Sequence, residues 1–151
     1  MEIRLLRADE RLPMALLLLA DPEEQVVQDY ATRCKCYVME KDGDFVGAYM
    51  LLPTRPHTVE LVNIAVAEEM QGQGLGGKLV KHAIETSRGF GYKTIEVGTG
   101  NSSVMQLYLY QKCGFRITGV DPDFFVRHYK EPIYENGIPC RDMIRLQQDL
   151  Y

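Results

Sequence analysis

The spacing of apolar residues changes several times along the chain, and each change marks an element. Ile3 to Leu6 is a short strand-like run. From about Asp9 to Ala20 the spacing suits a helix that takes in the apolar stretch Met14 to Ala20, and Asp21-Pro22-Glu23-Glu24 starts a second helix with acids near its positive end. Cys36 to Glu40 and Phe45 to Leu52 read as antiparallel strands joined by Lys41-Asp42-Gly43-Asp44, whose Asp-Gly is a turn signal. Pro53 and Pro56 mark a loop. Val59 to Val66 then reads as a strand apolar enough for burial on both faces.

Leu75, Leu79, Val80, Ala83 and Ile84 recur at helical spacing until Gly89 and Gly91, and Thr94 to Thr99 is the next strand. Strand, crossover helix and strand imply a parallel pair. The helix after Asn101 is expected to bury Val104, Leu107 and Tyr108, which makes Tyr108 a core residue and puts Tyr110 on the flank of the stripe. Gly114 suits the left-handed position past its end. Phe115 to Val120 and Asp142 to Leu146 complete the set, with the aromatic segment Phe124 to Tyr134 between them. The pattern predicts one α/β domain over residues 1–151, a mixed central β-sheet flanked by helices, without repeats or low-complexity segments.

Composition narrows the classes. At 151 residues and 46% hydrophobic side chains the chain can bury a sizeable core, and its length suits one domain rather than two. A net charge of −4 with both signs interspersed offers no basic stripe, so no nucleic-acid partner is expected. Met14 to Ala20 is too short for a membrane span, and the acids before it are unlike a signal peptide. Cys34, Cys36, Cys113 and Cys140 contain no C-x-x-C pair and read as structural thiols of a reducing, cytoplasmic setting. His57, His82 and His128 show no ligand spacing, and no metal is expected.

The chemistry begins at Gln71-Gly72-Gln73-Gly74-Leu75-Gly76-Gly77-Lys78, a glycine-rich turn between a strand and a helix. Such a turn suits phosphate: glycine reaches backbone conformations closed to other residues, and a helix start offers unpaired N–H groups and a positive dipole end. Three patterns fit. Gly72-x-Gly74-x-x-Gly77 matches a dinucleotide fingerprint, but five residues intervene after the strand and too little chain follows for a doubly wound domain. Gly72-x4-Gly77-Lys78 matches a P-loop except that Leu79 stands where a magnesium-binding hydroxyl belongs. The third is Gln71-x-x-Gly74-x-Gly76.

That third pattern resembles the acetyl-CoA pyrophosphate loop of the GCN5-related N-acetyltransferase (GNAT) family, and two further segments agree with it in order. Asn101 before a helix closed by Leu109-Tyr110-Gln111-Lys112-Cys113-Gly114-Phe115 resembles the family's second signature, and Glu60 to Val66 resembles the strand lining its thioester site. The resemblance runs from about Ile3 to about Leu146 and implies the GNAT fold and acetyl-CoA as acyl-donor cosubstrate. It assigns the pyrophosphate to backbone N–H groups of Gln71, Gly72, Gln73, Gly74, Leu75 and Gly76. The pantetheine arm goes to the backbone of Ile64, Ala65 and Val66, and a further cofactor contact to Asn101. It also implies direct attack of an unprotonated amine on the thioester, through an oxyanion held by a strand N–H worth about 3–4 kcal/mol.

Tyr110 is then the general acid toward the departing thiolate, uphill by only about 2 kcal/mol on ordinary pKa values. Tyr108 is the rival at the more usual distance from Asn101; the Leu-Tyr-x-Lys-x-Gly-Phe register favours Tyr110. Glu60 aligns with the general base of some relatives, roughly 13 Å along the strand from Ile64, so that proton transfer runs through water. The acceptor is assigned to segments near Ala20 to Gln28 and Asp121 to Cys140, where Asp121, Asp123, Glu131 and Glu135 stand among aromatics and would suit a cationic amine. A small-molecule or peptide amine is the expected partner, with no membrane, and pairing as a homodimer is left open. A catalytically idle acetyl-CoA-binding regulatory module is the alternative.

Overall fold

The computed structural model describes residues 1–151. The elements in chain order are β1 (Glu2–Leu5), α1 (Met14–Ala20), α2 (Glu24–Ala31), β2 (Lys35–Lys41), β3 (Asp44–Arg55), β4 (Thr58–Val66), α3 (Leu75–Gly89), β5 (Thr94–Gly100), α4 (Val104–Lys112), β6 (Arg116–Asp121), α5 (Phe124–His128), β7 (Tyr134–Glu135), β8 (Ile138–Pro139) and β9 (Met143–Asp149). Seven strands form one sheet in the order β1-β2-β3-β4-β5-β9-β6, and β7 pairs only with β8. The β4–β5 pair is parallel and the rest are antiparallel, as the strand–helix–strand pattern implies. The result is an α/β architecture with a mixed central sheet between helices. No helix is long and apolar enough to cross a membrane.

Two neighbouring residues of β4 identify the layers. Asn63 donates its side-chain amide to the Leu17 carbonyl of α1 and to the Tyr30 hydroxyl of α2, which puts α1 and α2 on one face. Ile64 lies opposite Tyr49 of β3, whose hydroxyl meets His82 Nδ1 (2.7 Å) and Thr86 Oγ1 (3.2 Å) of α3, so α3 covers the other face. Leu75, Leu79, Val80, Ala83 and Ile84 are the buried stripe of α3, in agreement with the spacing read from the sequence. The α4 helix lies beside α3, with Leu109 against Gly76 and Gly77.

Several boundaries differ from the sequence reading. Helix α1 starts at Met14 and not near Asp9, because Pro13 is its N-cap and a residue before proline is disfavoured in the helical region. The freed Glu10 instead holds Arg4 through two hydrogen bonds of 2.8 and 2.9 Å and accepts the Arg7 amide. Strand β3 continues through Pro53 to Arg55, with a register irregularity between Pro53 and Arg55 that tolerates the missing N–H. The Asp42-Gly43 turn has both residues at positive φ, as its hairpin type requires.

Helix α4 is phased differently from the expectation. Tyr108, expected in the core, is 58% exposed, as Val104 is at 46%, whereas Tyr110, expected on the flank, is buried at 3%. Six of the seven residues from Val104 to Tyr110 are apolar, so periodicity cannot say which face turns inward. The helix end decides it: Gly114 takes φ +102°, and the Phe115 amide returns to the Tyr110 carbonyl, which brings Phe115 edge-on to the Tyr110 ring.

Candidate active site

The sheet comes apart in its centre. Strands β4 and β5 pair only from Thr58 with Thr94 to Leu61 with Val97, although β4 runs on to Val66 and β5 to Gly100. The split coincides with a bulge: Met50 and Leu51 of β3 face Asn63 and Leu61, which leaves Val62 as the extra residue of β4. A bulge bends its strand and sharpens the twist, and here that turns β4 away from β5.

The backbone lining this wedge follows from alternation. The Ala67 amide donates to the Val46 carbonyl, so Ala65 and Asn63 also point their polar groups at β3, while those of Ile64 and Val66 point into the wedge. On the other wall the Asn101 amide donates to the Asp142 carbonyl, so Thr99 faces β9, and Gly98 and Gly100 face the wedge. An extended pantetheine arm, with amides along its length, fits between two such unpaired edges as an added strand. Of the three β4 residues assigned to it, Ile64 and Val66 present hydrogen-bonding groups there, and Ala65 spends its own on β3.

At the open end of β4 lies the glycine turn. Gly72 and Gly74 adopt φ of +80° and +79°, and a side chain at either would project into space free of protein atoms within 4 Å. Gly74 is the N-cap of α3, whose first turn carries no acid. Gln71 ties the turn to the wedge by donating its side-chain amide to the Val66 carbonyl (3.0 Å), and Gln73 lies between the two glycines. Open space, free helix-start N–H groups and the positive end of a fifteen-residue helix make a cradle that fits a pyrophosphate.

Tyr110 lies within the hydrophobic core, and its hydroxyl has no protein hydrogen-bond partner. Burial pushes its phenol well above the ordinary value. The reckoning of about 2 kcal/mol from ordinary pKa values therefore does not carry over unchanged. Asn101 is not the helix cap; Ser103 holds that position. The Asn101 side chain donates to the Pro139 carbonyl (3.1 Å) and accepts from the Arg141 and Asp142 amides (2.8 and 3.0 Å), fastening the entry of β9 to the end of β5.

The bulge also decides which side chains share a face. Residues three apart on a regular strand point in opposite directions; with Val62 extra, Glu60 opposite Leu52 and Asn63 opposite Met50 both face the α1–α2 side. Glu60 is largely buried, and burial raises its carboxyl, with Arg145 pulling it back and Glu96 pushing it further up. Asn63, 3% exposed, begins a network that the sequence did not disclose. Its Nδ2 donates to Tyr30 (2.9 Å), Tyr30 donates to Asp21 Oδ2 (3.0 Å), and Tyr129 donates to Asp21 Oδ1 (2.9 Å). A lone Asn in the apolar run from Leu61 to Val66 was the one signal available.

Three of the four acids among the C-terminal aromatics are otherwise engaged, Glu131 being the exception. Asp121 is bound by Arg127 and Arg145, Asp123 by Arg141, and Glu135 accepts the Ser103 hydroxyl. Beside them a groove of about 340 Å³ is lined by Phe125, Tyr129, Tyr134 and Arg141 among others. All four cysteines are free, and burial pushes the Cys34 and Cys36 thiols up to about 12, far from nucleophilic ionisation.

Comparison with known proteins agrees with this geometry. Residues 6–115 match the model of the acetyltransferase (GNAT) family. An uncharacterized N-acetyltransferase of Bacillus subtilis (strain 168), YvbK, is 58% identical over 135 residues, 89% of this chain and 87% of its own. A solved IAA acetyltransferase from Bacillus cereus is 55% identical with a TM-score of 0.95, covering 99% of both chains. A GNAT family acetyltransferase from Elizabethkingia anophelis, solved with acetyl-CoA bound, is 46% identical with a TM-score of 0.96, covering 99% of this chain and 97% of that one. With its split sheet and its glycine turn at a helix start, this chain belongs to the GNAT family of acetyl-CoA-dependent N-acetyltransferases.

Proposed function

We propose that this protein transfers an acetyl group directly from acetyl-CoA to a primary amine, with both substrates bound at once. The observation that carries this reading is the bulge at Val62. It opens one side of the sheet to the pantetheine arm and turns Glu60 to the opposite, α1–α2 face, from which an amine can approach. Acetyl-CoA, when bound, supplies an activated acetyl thioester at the wedge.

The residues divide the work. The amides from Gly72 to Gly76 hold the pyrophosphate, that of Gln71 being spent on the Glu68 carbonyl, and Ile64 and Val66 align the arm. The Ile64 N–H, aimed into the wedge, stabilises charge as it develops on the thioester oxygen. Glu60, its carboxyl raised by burial, takes the proton of the attacking amine through water. The Tyr110 hydroxyl, free of competing protein partners, returns a proton to the departing sulfur. High thiol pKa values at Cys34 and Cys36 support direct transfer over an acyl-enzyme.

The test is a panel of amines with acetyl-CoA, read by thiol release, beside a thermal-shift series. Acetyl-CoA at about 100 times its Kd should add roughly 2.7 kcal/mol of stability, a rise of several degrees. NAD and ATP should do much less. Acetyl-CoA binding without turnover on any amine would favour an idle regulatory module instead.

A further inference from the structure

We propose that Asp21 determines acceptor specificity by binding a second, protonated group of the acceptor, so that diamines and amines carrying another cation are preferred over simple monoamines. The proposal rests on the acetyltransferase reading above and names the substrate class of that same site.

A carboxylate removed from water needs a counter-charge more than an exposed one, yet in this protein arginines pair with carboxylates that are still partly exposed. Arg4 serves Glu10 and Glu40, Arg55 serves Glu96, Arg127 and Arg145 serve Asp121, and Arg141 serves Asp123. Asp21 is 9% exposed and no lysine or arginine pairs with it. Its carboxyl receives the hydroxyls of Tyr30 and Tyr129 and the Glu23 backbone amide, which orient it without supplying a counter-charge, so that burial raises its pKa above the ordinary value.

An independent observation lies two hydrogen bonds away. Asn63 spends both hydrogens of Nδ2 on the Leu17 carbonyl and Tyr30, and because that carbonyl can only accept, the amide orientation is set. Its Oδ1 is left buried with no donor. Together with Glu60 on the same face, the strand and the α1–α2 junction hold two carboxyls without ion pairs and an orphan carbonyl oxygen. A surface of acceptors is complementary to a ligand of donors, and a protonated amine is all donor.

The reacting nitrogen itself must be unprotonated, so it is not the group that Asp21 holds. Asn63 directly precedes Ile64, whose N–H faces the wedge, and Asp21 is joined to Asn63 through Tyr30 by two hydrogen bonds. A second cation a few bonds from the reacting nitrogen therefore reaches the carboxylate. Tyr129, whose hydroxyl bonds Asp21, also lines the 340 Å³ groove at the surface.

The experiment is calorimetric titration of diaminobutane and of butylamine into the protein saturated with CoA, alongside kcat/KM for both amines with acetyl-CoA. Diaminobutane is expected to bind about tenfold or more tightly than butylamine, the size typical of a hydrogen bond to a charged group. Asp21→Asn should reduce that preference to within about twofold while CoA affinity stays the same. Tyr129→Phe keeps the carboxylate and should keep the preference, which separates loss of charge from loss of structure. Equal binding of the two amines by the wild type, or a preference that survives Asp21→Asn, overturns the proposal. If the preference appears in binding but no amine is acetylated, the acetyltransferase reading fails and this one stands. If both amines are acetylated with equal kcat/KM and bind equally, the reverse holds.

Discussion

In the proposed reading the two faces of the split sheet recognise their ligands by different means. On the α3 side the cradle is backbone: the helix-start amides after Gly74 and the strand edges at Ile64, Val66, Gly98 and Gly100 that no neighbouring strand pairs. On the α1–α2 side the surface is side chain: Glu60, Asn63, Tyr30, Asp21 and Tyr129, gathered from four separate stretches of sequence. Backbone recognition depends on conformation, which many side chains permit, and so suits a cosubstrate that is always the same. Side-chain recognition can change one residue at a time and suits an acceptor that differs between relatives.

The strongest way to break this division is at Tyr110, the one side chain that the α3 side contributes to the chemistry. Tyr110→Phe removes only the hydroxyl, so acetyl-CoA affinity should persist while kcat falls about 10²-fold. Calorimetry and steady-state kinetics on the same preparation check it; equal rates would remove Tyr110 from the mechanism.

In the proposed mechanism Glu60 carries the acceptor side's acid–base work, and Glu60→Gln should then lower kcat/KM about tenfold near neutrality and abolish the acidic limb of the pH profile. The same change should stabilise the fold. A carboxyl whose folded pKa is raised contributes stability below its unfolded pKa and loses that contribution as pH rises through the folded value. Above the ordinary carboxylate range the Gln variant should therefore melt higher by a few degrees, at ~2–4 °C per kcal/mol, and the gap should narrow toward pH 4. A variant that melts lower at every pH would contradict the sign.

Gly74→Val attacks the backbone side alone. Because a side chain at Gly74 meets no protein atom, the cost to the fold is the left-handed conformation, roughly 1–2 kcal/mol, and the domain should remain folded. Acetyl-CoA affinity should fall at least about tenfold, since the new side chain fills the cradle. The smallest effect belongs to Tyr108→Phe. Tyr108 is exposed, with Lys112 over its ring, and activity should change by less than about twofold.

What could be read from the sequence was local. The Asp-Gly hairpin, the α3 stripe, the parallel β4–β5 pair and the glycine turn each depend on residues within one or two elements. The α1 start was misplaced because Pro13 overrides a helical pattern that extends before it, and α4 was misphased because it is apolar on nearly every face. Asp121 and Asp123 looked available for a cationic ligand, and only their arginines, distant in part along the chain, remove them.

The sequence by itself determined the class of this protein, because a glycine at positive φ before a helix leaves its mark in a few consecutive residues. Tertiary structure decided the acceptor face. One extra residue in β4, visible only through its pairing with β3, reverses the direction of every side chain on one side of it and so brings Glu60 and Asn63 together. The network from Asn63 to Asp21 and Tyr129 joins positions up to 108 residues apart. Such a site has no periodicity and no spacing, and it exists only once the chain has folded around it.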